Sequence, residues 1–145
     1  MSEIKKILAP IDFSSNAEKV ADFACEKAHE MGAALTFMNV VDDTGFHHGF
    51  SVQDSVLRDV RDRMEKKANE YIEEHKKFCK VCDEAKVIVG DTVEEIVKAA
   101  QEGSYDMIII GTHGYKGIEK IFLGSVAERV IKRAPCPVLV FNPNR

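Results

Sequence analysis

Met107-Ile108-Ile109-Ile110-Gly111-Thr112-His113-Gly114 is an apolar run that breaks into glycine. The chain continues as Tyr115-Lys116-Gly117-Ile118-Glu119-Lys120-Ile121-Phe122-Leu123-Gly124-Ser125 before the amphipathic stretch Val126 to Arg133. This order predicts a buried strand, a glycine-rich loop and a helix start. The first N–H groups of a helix have no intrahelical partner and carry partial positive charge, so they attract an anion. Glycine before them lets the backbone approach a phosphate without a Cβ in the way. The competing reading is structural. Gly111 or Gly114 could only turn the chain, and Ser125 with Glu128 forms a capping-box pattern that would satisfy the helix start from its own side chains.

Working outward, the same alternation recurs. Ile4 to Ile11 reads as a strand ending at Pro10 and Asp12. Ser15 with Glu18 then opens a helix carrying Ala17, Val20, Ala21, Ala24, Ala28 and Met31 on one face, ended by Gly32. Ala34 to Val41 is a second strand, closed by Asp42-Asp43-Thr44-Gly45. Beyond the loop Phe46 to Ser51, the residues Val56, Val60, Met64, Ala68, Tyr71 and Ile72 share one face of a long helix. Ala85 to Val89 is a third strand stopped by Gly90. Thr92 with Glu95 starts a helix built on Val93, Ile96, Val97 and Ala100 that ends at Gly103, and Pro137 to Phe141 supplies a fifth strand.

Continuously apolar strands alternating with helices indicate a parallel sheet covered on both faces. Right-handed crossovers make this an α/β doubly wound three-layer sandwich, predicted as a single domain over residues 1–145. In such sheets ligands bind beyond the carboxyl ends of the strands. Here Pro10 and Asp12, Val40 to Asp42, Gly90 and the loop from Gly111 converge there.

At 145 residues, 45% hydrophobic and 30% charged, the chain has enough material for a core without staples. A net charge of −4 argues against a basic nucleic-acid surface. No apolar stretch reaches membrane-spanning length, so no membrane partner is expected. Four cysteines without a framework spacing suggest thiols in a reducing, cytoplasmic setting, with Cys25 and Cys136 as buried thiols.

The spacing of Gly111, Gly114 and Gly124-Ser125 resembles the nucleotide-binding signature of the universal stress protein family. Ile7-Leu8-Ala9-Pro10-Ile11-Asp12 is similar to its first strand, and Pro135-Cys136-Pro137-Val138-Leu139-Val140 to its last. The resemblance covers nearly the whole chain and implies a five-stranded sheet of order 3-2-1-4-5. It also implies an ATP (or AMP/ADP) ligand, with Mg as an optional counter-ion of the nucleotide. Carried onto this sequence, Pro10 and Asp12 border the adenosine and Val40 lies against adenine. Gly111, Thr112, His113 and Gly114 line the phosphate side, and Gly124, Ser125 and Val126 receive the phosphates. A homodimer through the last strand, Val138 to Phe141, is implied as well. The region between Gly114 and Gly124 carries no assignable contact, so Tyr115, Lys116 and Lys120 are given none.

Other candidates are weaker. Asp12 could bind ribose hydroxyls or magnesium, or cap the first helix. His113 could contact nucleotide or simply occupy the loop. Cys79-Lys80-Val81-Cys82 has metal or redox spacing, but lacks a second ligand pair and does not start a helix. His47-His48 beside Asp42 and Asp43 reads as a loop near the site more than as a metal centre. Two functional classes remain. One is a regulatory binding module of the stress response, with little or no hydrolysis and no catalytic or metal-ligating set. The other is a slow ATPase or nucleotidyl transferase using Asp12, His113 and Lys116 or Lys120. A response regulator would need an aspartate where the third strand ends at Gly90.

Overall fold

Ile7, Leu8 and Ala9 are fully buried and point to opposite sides of the first strand, β1 (Lys6–Pro10), which explains why its sequence is apolar on both faces. The computed structural model describes residues 3–44, 54–112 and 123–144. In chain order, α1 (Ala17–Met31), β2 (Ala34–Asp42), α2 (Asp54–Lys77), β3 (Cys82–Gly90) and α3 (Thr92–Glu102) follow. β4 (Met107–Gly111), α4 (Ser125–Arg133) and β5 (Val138–Phe141) complete the order. The sheet is parallel throughout, in the order β3-β2-β1-β4-β5. Both the architecture and the strand order agree with the expectation.

Alternation along the strands sorts side chains into two cores. Ile7, Ala9, Ile11, Leu35, Phe37 and Ile109 pack with Ala17, Val20, Ala21, Ala24 and Ala28 of α1 and Ile72 of α2. The alanine-rich face of α1 lets that helix sit close to the sheet. Leu8, Met38, Ile108 and Ile110 pack on the other side with Val93, Ile96, Ala99 and Ala100 of α3 and Ala127 and Val130 of α4. Each fully buried aliphatic side chain contributes roughly 1.5–3 kcal/mol relative to exposure. β1 and β4 lie between these layers, so their carboxyl ends are fixed from both sides.

Local details differ from the sequence reading. The Ser15–Glu18 capping box is not formed: α1 starts after Asn16, with no side-chain cap. Asp12 Oδ1 instead accepts the Ser14 N–H at 2.9 Å, forming a turn that delays the helix. At α3 the capping residue is Asp91, whose carboxylate accepts the Glu94 N–H at 2.9 Å, and not Thr92. β3 begins at Cys82, earlier than its apolar core suggests, because Glu84 pairs with Thr36 through the backbone whatever its side chain.

The cysteines also required correction. Cys25 on α1 is joined to Cys79, just after α2, across a sequence separation of 54 and a Cα–Cα distance of 5.9 Å. Cys25 is therefore not a buried thiol but one half of a disulfide with Cys79. Cys82 and Cys136 are the unbonded ones, and burial pushes both thiols up.

Candidate functional site

A cavity of about 460 Å³ opens at the carboxyl ends of β1, β2 and β4, within the size range of small-molecule sites. Its walls bring together Pro10, Asp12, Val40, Gly111, Thr112, Gly124, Ser125 and Val126, eight of the residues expected from sequence. His113 and Gly114 lie outside the described residues, as do Tyr115, Lys116, Lys120 and the His47-His48 loop. Gly90, expected at this edge, is replaced in the walls by Thr92 and Ile96 of α3.

Each wall has a local cause. β1 ends at Pro10, and the Ile11 N–H then donates to the Met38 carbonyl at 2.8 Å, so the chain turns at the cavity edge. The following turn is held by Asp12 Oδ1 and, through the Asp12 carbonyl, by the Tyr71 hydroxyl of α2. Burial, then the Asp12 charge, pushes the Tyr71 phenol up to about 12. Asp42, at the end of β2, is pushed up by burial, but hydrogen bonds from Thr44 and Thr92 outweigh this and leave its carboxyl below the usual range. Thr92 Oγ1 donates to Asp42 Oδ2 at 3.1 Å, tying α3 to the end of β2.

The fourth strand and fourth helix define the deepest part. The Thr112 N–H donates to the Phe141 carbonyl at 2.9 Å, and the Gly124 N–H donates to the Thr112 carbonyl at 2.6 Å. The two ends of residues 113–122 are thereby held side by side. A Cβ on Gly111 would lie 2.8 Å from Val20 Cγ2, so this glycine is required for the close approach of α1. It ends β4 in register with Phe141.

α4 starts after Gly124, at φ −60° and ψ 154°, with no side-chain cap. The Ser125–Glu128 capping box is absent, and Glu128 pairs with Lys132 at 3.1 Å instead. The first residues of α4 thus line the cavity, and no side chain among the described residues caps their N–H groups. Two buried oxygens on the same walls, Thr112 Oγ1 and Asn39 Oδ1, have no hydrogen-bond partner among the described residues. A buried polar atom without a partner calls for a specific explanation, of which a bound water or ion is one. Asn39 is 2% exposed, and its Nδ2 donates to the Ile11 carbonyl at 2.7 Å, which aims the side chain. Asn39 was overlooked in the sequence reading. Its signal was an amide interrupting the apolar run of β2.

The walls hold one ionisable side chain, Asp12, and neither lysine nor arginine among the described residues. Among the described residues, the positive potential on these walls is that of the α4 N-terminus. No group of three His, Cys, Asp or Glu able to hold a metal ion occurs among the described residues. A second cavity, about 510 Å³, lies between α1 and α2. Although larger, it is lined by Glu18, Asp22 and Glu74, which would repel a phosphate.

The model of the Universal stress protein family matches residues 3–142. The chain belongs to the universal stress protein family. Among similar proteins, universal stress protein MJ0531 of Methanocaldococcus jannaschii is 36% identical over 139 residues, covering 94% of this chain and 81% of that one. The structure of universal stress protein UspA from Lactobacillus plantarum superposes with a TM-score of 0.84 at 25% identity, over 97% of this chain and 99% of that one. A universal stress protein solved in complex with cAMP shares the fold, with a TM-score of 0.70 at 20% identity over 97% and 98% of the two chains. No helix among the described residues of this universal stress protein is long and apolar enough to cross a membrane.

Proposed function

We propose that this chain is a universal stress protein that binds an adenine nucleotide, ATP or its AMP and ADP relatives, and acts as a cytoplasmic regulatory module with little or no hydrolysis. The observation that carries the reading is the α4 start, which opens without a cap into the cavity beyond β4. The phosphates would be held by the backbone of Gly124, Ser125 and Val126 and by Thr112, whose buried hydroxyl lacks a partner among the described residues. Adenine would lie against Val40 and Met38, with the unpaired Asn39 oxygen an acceptor for a base or ribose donor. Asp12 would face the ribose. The fold neighbour solved with cAMP supports an adenine ligand. His113 and Gly114 remain part of the proposed phosphate loop, and Mg would enter only as the nucleotide's counter-ion.

Phosphoryl transfer needs positive charge aimed at the transferred group. The cationic candidates for that role, His113, Lys116 and Lys120, lie outside the described residues, and the binding-module reading rests on the uncapped α4 start. β5 is an edge strand with half-buried residues Val138 to Phe141, and a homodimer through it would pair its unused backbone edge. The second reading, a slow ATPase or nucleotidyl transferase, rests on the Asp12 carboxylate at the wall.

Mass spectrometry of the small molecules released when the purified protein is denatured tests the ligand class. An adenine nucleotide supports the proposal, and a different ligand at stoichiometric occupancy refutes it. Calorimetry should give a micromolar-range Kd for ATP, near −8 kcal/mol. Steady ATP turnover lost in His113→Ala with unchanged affinity would favour the enzyme.

A further inference from the structure

The cavity between α1 and α2 reaches the disulfide. Cys25 and Cys79 both line it, together with Tyr71 and Phe78. Cys25 is half-buried and Cys79 is buried, so attack from the cavity is assigned to the Cys25 side of the bond. The site is acidic. Glu18 and Asp22 stand on its α1 wall, unpaired among the described residues, while Glu74 is offset by Lys77 at 3.2 Å. Among the described residues no lysine or arginine lines it, and His75 supplies its titratable nitrogen.

We propose that Cys25–Cys79 is a thiol–disulfide exchange site serving small cationic aminothiols and their disulfides. A thiolate RS⁻ enters the cavity and attacks Cys25 Sγ. The Cys25–Cys79 bond breaks, its electron pair leaves on Cys79 Sγ, and that sulfur takes a proton from solvent. A second RS⁻ attacks the aminothiol sulfur of the mixed disulfide, releasing RSSR and the Cys25 thiolate, which is protonated in turn. The reverse sequence closes the bond at the cost of one RSSR and yields two RSH. Glu18 and Asp22 attract the ammonium of the zwitterionic aminothiolate and repel the net-negative glutathione thiolate, because charged clefts change ligand entry rates by roughly 10–10³-fold.

The other thiols are kept out of this chemistry. Cys82 is three residues from Cys79, but burial pushes its thiol up and it donates to the Glu84 carbonyl at 3.2 Å, so little thiolate is present to rearrange the bond. Cys136 is half-buried and packs against the core on the other side of the sheet.

The test uses the full folded chain and no nucleotide, because the two cavities share Ser14 and Ala17 as walls and failure here must be separable from failure of nucleotide binding. After oxidation with cystamine, digestion without reductant should give one linked pair, Cys25 with Cys79. Reduction is then followed by alkylation and mass spectrometry, with cysteamine and glutathione compared at equal thiolate concentration. The rate should be first order in thiol and about tenfold faster for cysteamine at low salt. The difference should collapse in 1 M NaCl and in Glu18→Gln/Asp22→Asn, both surface changes whose folding is checked by circular dichroism. A linkage other than Cys25–Cys79, a rate independent of thiol concentration, or equal rates for the two thiols at low salt would overturn the proposal.

Discussion

The β3-to-α3 and β4-to-α4 connections lie on the same side of the sheet and solve the same problem in different ways. At the first, β3 ends at Gly90, Asp91 immediately supplies a carboxylate to the Glu94 N–H, and α3 begins satisfied. At the second, residues 112–124 separate strand from helix, their ends are clamped by the Gly124-to-Thr112 hydrogen bond, and α4 begins uncapped. One helix start is closed by its own sequence. The other has no side-chain cap, and Thr112 beside it has a buried hydroxyl without a partner among the described residues. The difference between a closed and an open helix start is therefore a matter of which residue precedes the helix.

Exchanging the two kinds of start breaks the comparison most severely. Gly124→Asp would give α4 the cap that α3 has and place a negative charge where phosphate is proposed. Calorimetry should show nucleotide affinity falling at least 100-fold, about 3 kcal/mol, since like charges at an interface cost several kcal/mol. Denaturation should meanwhile show equal or slightly higher stability, because aspartate caps better than glycine by a few tenths of a kcal/mol. Loss of stability together with binding would mean that Gly124 is there for the backbone alone.

Gly111→Ala strikes the strand end that feeds the open connection. Its Cβ would meet Val20 Cγ2 at 2.8 Å, and overpacking of this kind costs about 1–3 kcal/mol. Urea unfolding would measure it, and a neutral result would show that α1 can shift without penalty. Asp91→Ala opens the closed start and should cost about 1 kcal/mol in the same assay while leaving nucleotide affinity unchanged.

The smallest effect concerns the tie from α2 to the Asp12 turn. The Tyr71 phenol is raised from 10.0 to about 12, so the folded state holds its proton more tightly than the unfolded chain. Its contribution is complete below pH 10 and is lost as pH rises toward 12. Tyr71→Phe should flatten that alkaline limb of the thermal stability profile and cost about 1 kcal/mol at neutral pH for the lost bond to the Asp12 carbonyl. An unchanged limb would dissociate Tyr71 from it.

Layering was legible because Ile7-Leu8-Ala9 and Ile108-Ile109-Ile110 are apolar on both faces, as in a doubly covered sheet, whereas the strand order came only from the family resemblance. The cavity edge was legible because Pro10, Gly111 and Gly124 punctuate those runs. The helix starts were not, since a capping pattern states which atoms could bond and not which do: Asp12 captured the Ser14 N–H first, and Glu128 turned to Lys132. The disulfide was illegible because a separation of 54 residues says nothing of proximity until α1 and α2 are packed on one face. Asn39 was readable in principle, as an amide in a buried strand demands a partner.

The central claim is that the α4 start holds phosphate. Titration calorimetry of adenosine and AMP against the same protein isolates that group. The account predicts that AMP binds at least tenfold more tightly than adenosine, and that Gly124→Asp abolishes this advantage while adenosine affinity stays nearly constant. Equal affinities for adenosine and AMP in the unaltered protein would contradict it.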